Sequence, residues 1–78
     1  MREKELKLII TFPSTTAAMA MESMCNRRSL PGRLIPLPRE IASGCGMAWS
    51  AKPEDRDILE QAAKEEGMDI GDIHTLMI

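Results

Sequence analysis

Proline and glycine interrupt this chain at short intervals, and the longer segments between them each have room for one strand or one helix. Apolar residues alternate along Leu6–Phe12, which predicts a strand, and Pro13 ends it because proline donates no backbone hydrogen bond. Ser14 is a favoured helix N-cap. The apolar residues that follow recur at helical spacing and predict a helix from residue 14 or 15 to about Arg28. The Leu30–Gly32 turn terminates it.

The second half of the chain repeats this alternation of strand and helix patterns. Arg33–Pro36 and Met47–Ala51 are predicted strands, and the loop between them is too long for a tight hairpin. Pro53, which acidic residues follow, is suited to the first turn of a second helix that ends near Gly67. Ile70, Ile73 and Leu76 predict a last strand, which Gly71 and Asp72 interrupt.

The order strand, helix, strand, strand, helix, strand predicts a fold of the α+β class. The expected architecture is ferredoxin-like, a four-stranded antiparallel sheet with two helices on one face. Residues 1–78 then form a single small domain. Because a domain of this size buries only about 60% of its unfolded surface, a homodimer is a reasonable expectation. The edge of the second strand and the uncovered sheet face are both candidate contacts.

Charge and hydropathy exclude several classes of function. Ten basic and twelve acidic residues give a net charge of −2, so the chain lacks the basic surface that nucleic-acid binding requires. No apolar stretch is long enough to span a membrane, and no signal peptide is recognisable. We therefore expect a cytoplasmic protein whose two cysteines stay reduced.

Cys45, which lies between Gly44 and Gly46, is the residue that we expect to carry out chemistry. Two flanking glycines let the backbone approach a ligand closely and adopt positive φ angles. In the predicted topology, the Cys45 loop and the N-terminus of the first helix lie at the same end of the sheet. A helix N-terminus carries partial positive charge, which favours an anion or a thiolate.

Further residues at this end complete a predicted substrate- or anion-binding set. They are Gly44, Gly46, Arg39 in the same loop, and Ser14, Thr15 and Thr16 at the helix N-terminus. A helical turn from Pro38 to Ala42 would instead place Cys45 beyond a helix C-terminus, whose dipole opposes thiolate formation. The sequence leaves open which field is stronger, and Arg39 is equally suited to a surface salt bridge.

The second cysteine, Cys25, is predicted to be a small packing residue in the first helix. It lies about 16 Å along that helix from its start, too far for a disulfide with Cys45. His74 is expected in the middle of the last strand or lower, away from Cys45, which disfavours a Cys–His pair. Because closed structural zinc needs four ligands, no metal site is predicted within one chain.

Three blocks of the sequence resemble a known family. The most specific is GRLIPLPREIASGCGMAW, Gly32–Trp49, and TFPSTTAAMAME and KPEDRDILEQAAKEEGMDI flank it. Together they are similar to small bacterial proteins described as putative Se/S carrier protein-like, over about Leu8 to His74. The resemblance implies that Cys45 covalently carries sulfur or selenium, as a persulfide or perselenide. It also implies donor and acceptor proteins as partners.

The alternative hypothesis is a regulatory module without chemistry, which binds a small ligand or a protein and in which Cys45 is structural. Small α+β domains serve such roles, an argument by fold analogy. No hydrolase, phosphate-loop, dinucleotide or metalloprotease motif occurs in the sequence. A carrier or accessory protein is therefore favoured over a stand-alone enzyme.

Overall fold

Four strands and two helices alternate along the residues that the computed structural model describes, 4–41 and 45–78. The elements in chain order are β1 (Leu6–Thr11), α1 (Thr15–Arg28), β2 (Arg33–Pro36), β3 (Met47–Ala51), α2 (Arg56–Glu65) and β4 (Ile73–Met77). A short 3-10 turn, Pro53–Asp55, precedes α2.

The strands form one sheet in the order β2-β3-β1-β4, and every neighbouring pair is antiparallel. Central β1 pairs with β3 through Ile10 and Trp49, and with β4 through Ile10 and Ile73. This order of elements and strands is the ferredoxin-like arrangement, so the predicted fold is confirmed.

Both helices pack on one face of the sheet and form the main core with it. Burying a large apolar side chain such as Leu, Ile, Phe or Met stabilises the fold by about 1.5–3 kcal/mol, which makes this cluster the main source of stability. Its buried members are Leu8, Ile10 and Phe12 of the first strand segment, Trp49 and Ala51 of β3, Ala18, Met21, Met24 and Cys25 of α1, and Leu59 and Ala62 of α2.

The opposite side of the sheet, the helix-free face, has a smaller core. Ile9 and Ala48 are fully buried there although no helix covers them. The cover comes from the chain that follows β2, because Leu37 and buried Ile41 pack on this face. The β2–β3 connection therefore contributes to the core as well as joining two strands.

Local signals fix the limits of α1. The Ser14 hydroxyl accepts a hydrogen bond from the Ala17 amide at 3.2 Å, which satisfies one free donor of the first turn. At the other end Ser29 adopts a left-handed conformation, and Leu30 N–H donates to the Cys25 carbonyl. Within the described ranges neither helix is long and apolar enough to cross a bilayer, which takes about 20 residues.

The second helix begins later than the sequence predicts. Pro53–Asp55 form a 3-10 turn in which Asp55 N–H donates to the Lys52 carbonyl, and the Asp55 carboxylate accepts from the Lys52 amide. This short-range bonding tightens the first turn, so the α-helix starts only at Arg56. At its end, Gly67 takes a φ of +64°, as a helix stop requires.

Two pairs of arginine and glutamate residues hold the C-terminal ends of the helices together. Arg27 donates to Glu66 at 2.7 Å, and Arg28 donates to Glu65 at 2.8 Å and to Glu66 at 3.4 Å. The Arg28 hydrogen bond lowers the pKa of Glu65. These contacts join the two elements that cover the sheet.

A close approach explains the glycine before β2. Trp49 is 2% exposed, and its indole N–H donates to the Pro31 carbonyl at 3.1 Å. Gly32 lies against this ring with a φ of +107°, and a Cβ there would collide with the indole nitrogen and lie 2.7 Å from the Ser50 carbonyl. Gly32 is therefore required both by its backbone angle and by the space that Trp49 occupies.

The last strand is shorter than the predicted segment, which began at Ile70, because Thr11 forms hydrogen bonds with Gly71 and Asp72. The buried Thr11 hydroxyl accepts from the Asp72 amide at 2.8 Å and donates to the Asp72 carbonyl at 3.3 Å. Gly71 N–H donates to the Thr11 carbonyl, and a Cβ on Gly71 would lie 2.5 Å from the Thr11 hydroxyl. Regular pairing of β4 therefore begins at Ile73.

Candidate functional site

Cys45 lies two residues before β3, at the end of the sheet where β1 finishes. Leu37 N–H donates to the Gly46 carbonyl at 2.9 Å, which extends the β2–β3 ladder one step beyond the Pro36–Met47 pair. Gly46 has a φ of +87° and open space around the position of a Cβ. Glycine is therefore needed at position 46 because of this positive φ angle. Gly44 lies outside the described residues.

The Cys45 side chain is half-buried. It packs against the main core on the helix side of the sheet, as do Ala17 in the first turn of α1 and Met47. Cys45 is thus held by packing without being enclosed in the core.

The N-terminus of α1 lies at the same end of the sheet as Cys45. Thr11 of β1 is paired with Ala48 of β3. Ser14 lies three residues after Thr11, and Cys45 lies three residues before Ala48, so both lie beyond the same end of the two strands. The first turn of α1 contains no acidic residue, so no carboxylate of that turn offsets the positive end of the helix dipole. This agrees with the location derived from topology.

The three hydroxyl residues at this helix end have different roles. Ser14 is occupied by capping, since its oxygen accepts from the Ala17 amide. Thr15 and Thr16 are exposed in the first turn. In the described part of the chain no hydrogen bond joins Cys45 to any of them, so they share its end of the sheet without binding it directly.

Arg39 is exposed in the chain that follows β2. It belongs to a single turn in which Ile41 N–H donates to the Pro38 carbonyl at 3.0 Å, and Ala42, the last residue of the predicted helical turn, lies outside the described residues. Ile41 packs on the helix-free face, whereas Cys45 packs on the helix side. Ile41 thus lies on the opposite side of the sheet from Cys45, and residues 38–41 form a single turn.

Cys25 is a buried packing residue, as predicted. It is 2% exposed inside the main core, and burial raises the pKa of its thiol to about 11. Both cysteines are free thiols. Of the two, only Cys45 combines access with a position at the end of the sheet.

His74 lies on the helix-free face, where it pairs with Ile9. Its Nε2 atom is buried and has no hydrogen-bond partner among the described residues. Since Cys45 packs on the other side of the sheet, the two do not form a dyad. Across the described ranges no three side chains of His, Cys, Asp or Glu converge as a metal ion would require.

Ile41 is the residue of this region that sequence reasoning did not identify. It is buried against the helix-free face, whereas the sequence places it only in a helical turn. The available signal was one isolated branched apolar residue among polar neighbours in a loop. That signal indicates a buried contact without identifying the face that receives it.

Comparison with known proteins gives one match. A family model described as putative Se/S carrier protein-like matches residues 7–75, which covers most of the chain and includes both sides of the Cys45 loop. No curated protein and no solved structure shows significant similarity to the chain.

Proposed function

Because the chain belongs to the putative Se/S carrier protein-like family, we propose that Cys45 accepts a sulfur or selenium atom and holds it as a persulfide or perselenide. The observation that supports this role is the half-buried, accessible thiol of Cys45 at the end of the sheet. Cys25, the other cysteine, is enclosed in the core.

The proposed transfer needs no external oxidant. The Cys45 thiolate attacks the outer sulfur of a donor persulfide, the sulfur–sulfur bond of the donor breaks, and the donor leaves as a thiolate. A new sulfur–sulfur bond forms on Cys45, whose proton has passed to water. With selenium as the outer atom the same step gives a sulfur–selenium bond. An acceptor nucleophile then removes the outer atom and regenerates the Cys45 thiolate.

The surroundings of Cys45 support a step that begins and ends with an anion. The N-terminus of α1 lies at the same end of the sheet, and its free amides and dipole favour negative charge. Exposed Thr15 and Thr16 supply hydroxyl donors there. We assign these residues to stabilising the anion rather than to forming bonds.

The proposal implies two protein partners, a donor and an acceptor, and a reducing compartment such as the cytoplasm. A persulfide is lost to thiol reductants unless it is transferred directly. Donor and acceptor must therefore approach the sheet end at which Cys45 lies.

Intact-mass spectrometry tests the proposal. The folded protein is incubated with a cysteine desulfurase and cysteine, or with a low-molecular-weight persulfide, and desalted without reductant. We expect a mass increase of one sulfur atom that dithiothreitol reverses. The increase should persist in Cys25→Ala, the matched control, and disappear in Cys45→Ser.

An adduct that survives in Cys45→Ser would contradict the assignment of the site. No adduct, under conditions that convert an unfolded cysteine peptide, would favour the alternative of a ligand- or protein-binding module with a structural Cys45. A donor that carries a perselenide, used in the same assay, distinguishes the two elements.

A further inference from the structure

A concave surface lies on the helix-free face, away from Cys45. This basic groove has a volume of about 480 Å³, which falls within the range of small-molecule sites. Three of its lining residues are cationic, and the chain as a whole is net negative. They are Lys7, Arg33 and Lys52, and Ser50 lies among them.

Strand register brings these four residues together. Arg33 is paired with Ser50 across β2 and β3, and Lys52 lies two residues beyond Ser50 on the same side of the strand. Lys7 and Lys52 are one step beyond the paired residues of β1 and β3. The three cations and the Ser50 hydroxyl therefore lie at neighbouring positions on one face of the sheet.

Two lysines that face each other across neighbouring strands repel and destabilise a sheet. The carboxylates nearby offset this only in part. Lys7 has an ion pair at 3.2 Å with Glu5, a largely exposed side chain. Asp55 also lines the groove, and its carboxylate accepts from the Lys52 backbone amide. Among residues 4–41 and 45–78, no ion pair joins Arg33 or Lys52 to a carboxylate.

We propose that this groove binds a small phosphate-bearing ligand. A tetrahedral phosphate offers several acceptor oxygens and up to two charges, which match the planar fork of Arg33, the two ammonium groups and the Ser50 hydroxyl. Apolar Ile35 and Ile78, which also line the groove, provide contacts for an organic part of the ligand. The site is independent of the carrier role of Cys45.

Titration with inorganic pyrophosphate, followed by amide NMR shifts, tests this proposal. We expect saturable shifts confined to the groove, led by the amides of Arg33, Ser50 and Lys52. Arg33→Gln and Lys52→Gln should each weaken binding about tenfold, because each removes a charge-assisted contact. Lys64→Gln, a charge removal on α2 outside the groove, is the matched control and should bind like the wild type. Cys45→Ser should also bind unchanged.

Several outcomes would overturn the proposal. Potassium chloride of equal ionic strength could reproduce the amide shifts, which would show that they arise from salt screening of surface charges and not from binding. The two groove variants could retain wild-type affinity while their spectra show the native fold. An oligoglutamate peptide could displace pyrophosphate with higher affinity, which would make the groove a protein-docking surface instead.

Discussion

The two cysteines should differ in alkylation rate by a margin that their burial sets. Cys25 is 2% exposed, and its pKa is raised from 9.0 to about 11. At pH 7 this reduces the thiolate, the reactive form, from about one molecule in 100 to about one in 10,000. Folding should therefore slow the reaction of Cys25 at least about 100-fold, before limited access is counted. Half-buried Cys45 has no comparable protection from access.

Single-cysteine variants separate the two rates. Cys45→Ser retains only Cys25, and Cys25→Ala retains only Cys45. Each is treated with iodoacetamide at pH 7, folded and in urea, and the modified fraction is followed by mass spectrometry. The ratio of the unfolded to the folded rate gives the protection of each thiol on its own scale.

Two results would refute this reasoning. If Cys25 reacts in the folded variant as fast as in urea, its burial in the core is wrong. If Cys45 is protected as strongly as Cys25, it is not accessible to a donor, and the carrier proposal fails with it.

Three further predictions concern the free energy of unfolding, measured by urea denaturation. Gly32→Ala should lower the free energy of unfolding by about 3 kcal/mol, because the new Cβ meets backbone and indole atoms. Gly67→Ala, also at positive φ but in open space, should lower it by about 1 kcal/mol. Equal losses for the two variants would contradict the role of crowding at Gly32. Thr11→Val should cost about 1–2 kcal/mol, because the Asp72 amide loses its partner, and an unchanged midpoint would argue against that clamp. Between pH 9 and about 11 the free energy of unfolding of the wild type should fall by up to about 3 kcal/mol relative to that of Cys25→Ala. The Cys25 thiol ionises first in the unfolded chain, whereas in the folded protein it stays protonated. Parallel curves of unfolding free energy against pH for the two proteins would refute this.

The predicted elements were accurate where the signal is local. Pro13 and Ser14 define the end of β1 and the start of α1 from the sequence alone, because a missing donor and a capping hydroxyl act within one turn. The start of β4 at Ile73 follows the interruption that Gly71 and Asp72 predict. The contact of Thr11 with these two residues could not be predicted, because Thr11 is far away in sequence. No periodicity in residues 70–76 contains that contact.

The candidate site shows the same division. Topology alone predicted that Cys45 and the start of α1 share one end of the sheet, and the register agrees. Ile41 and the turn that contains Arg39 could not be placed, because the face on which a loop packs is decided by tertiary contacts. The binding roles of Arg39, Ser14, Thr15 and Thr16 stay predictions.

The anchoring of the Cys45 loop limits how a carrier of this design could deliver its cargo. Ile41 is buried on one side of the sheet, and Gly46 is hydrogen-bonded to Leu37. Consecutive Cα atoms are about 3.8 Å apart, so Cys45 cannot travel far from Gly46 while that bond persists. Such a protein cannot work as a long swinging arm that visits distant active sites. Delivery must instead depend on the partner, whose active site has to admit one end of this sheet.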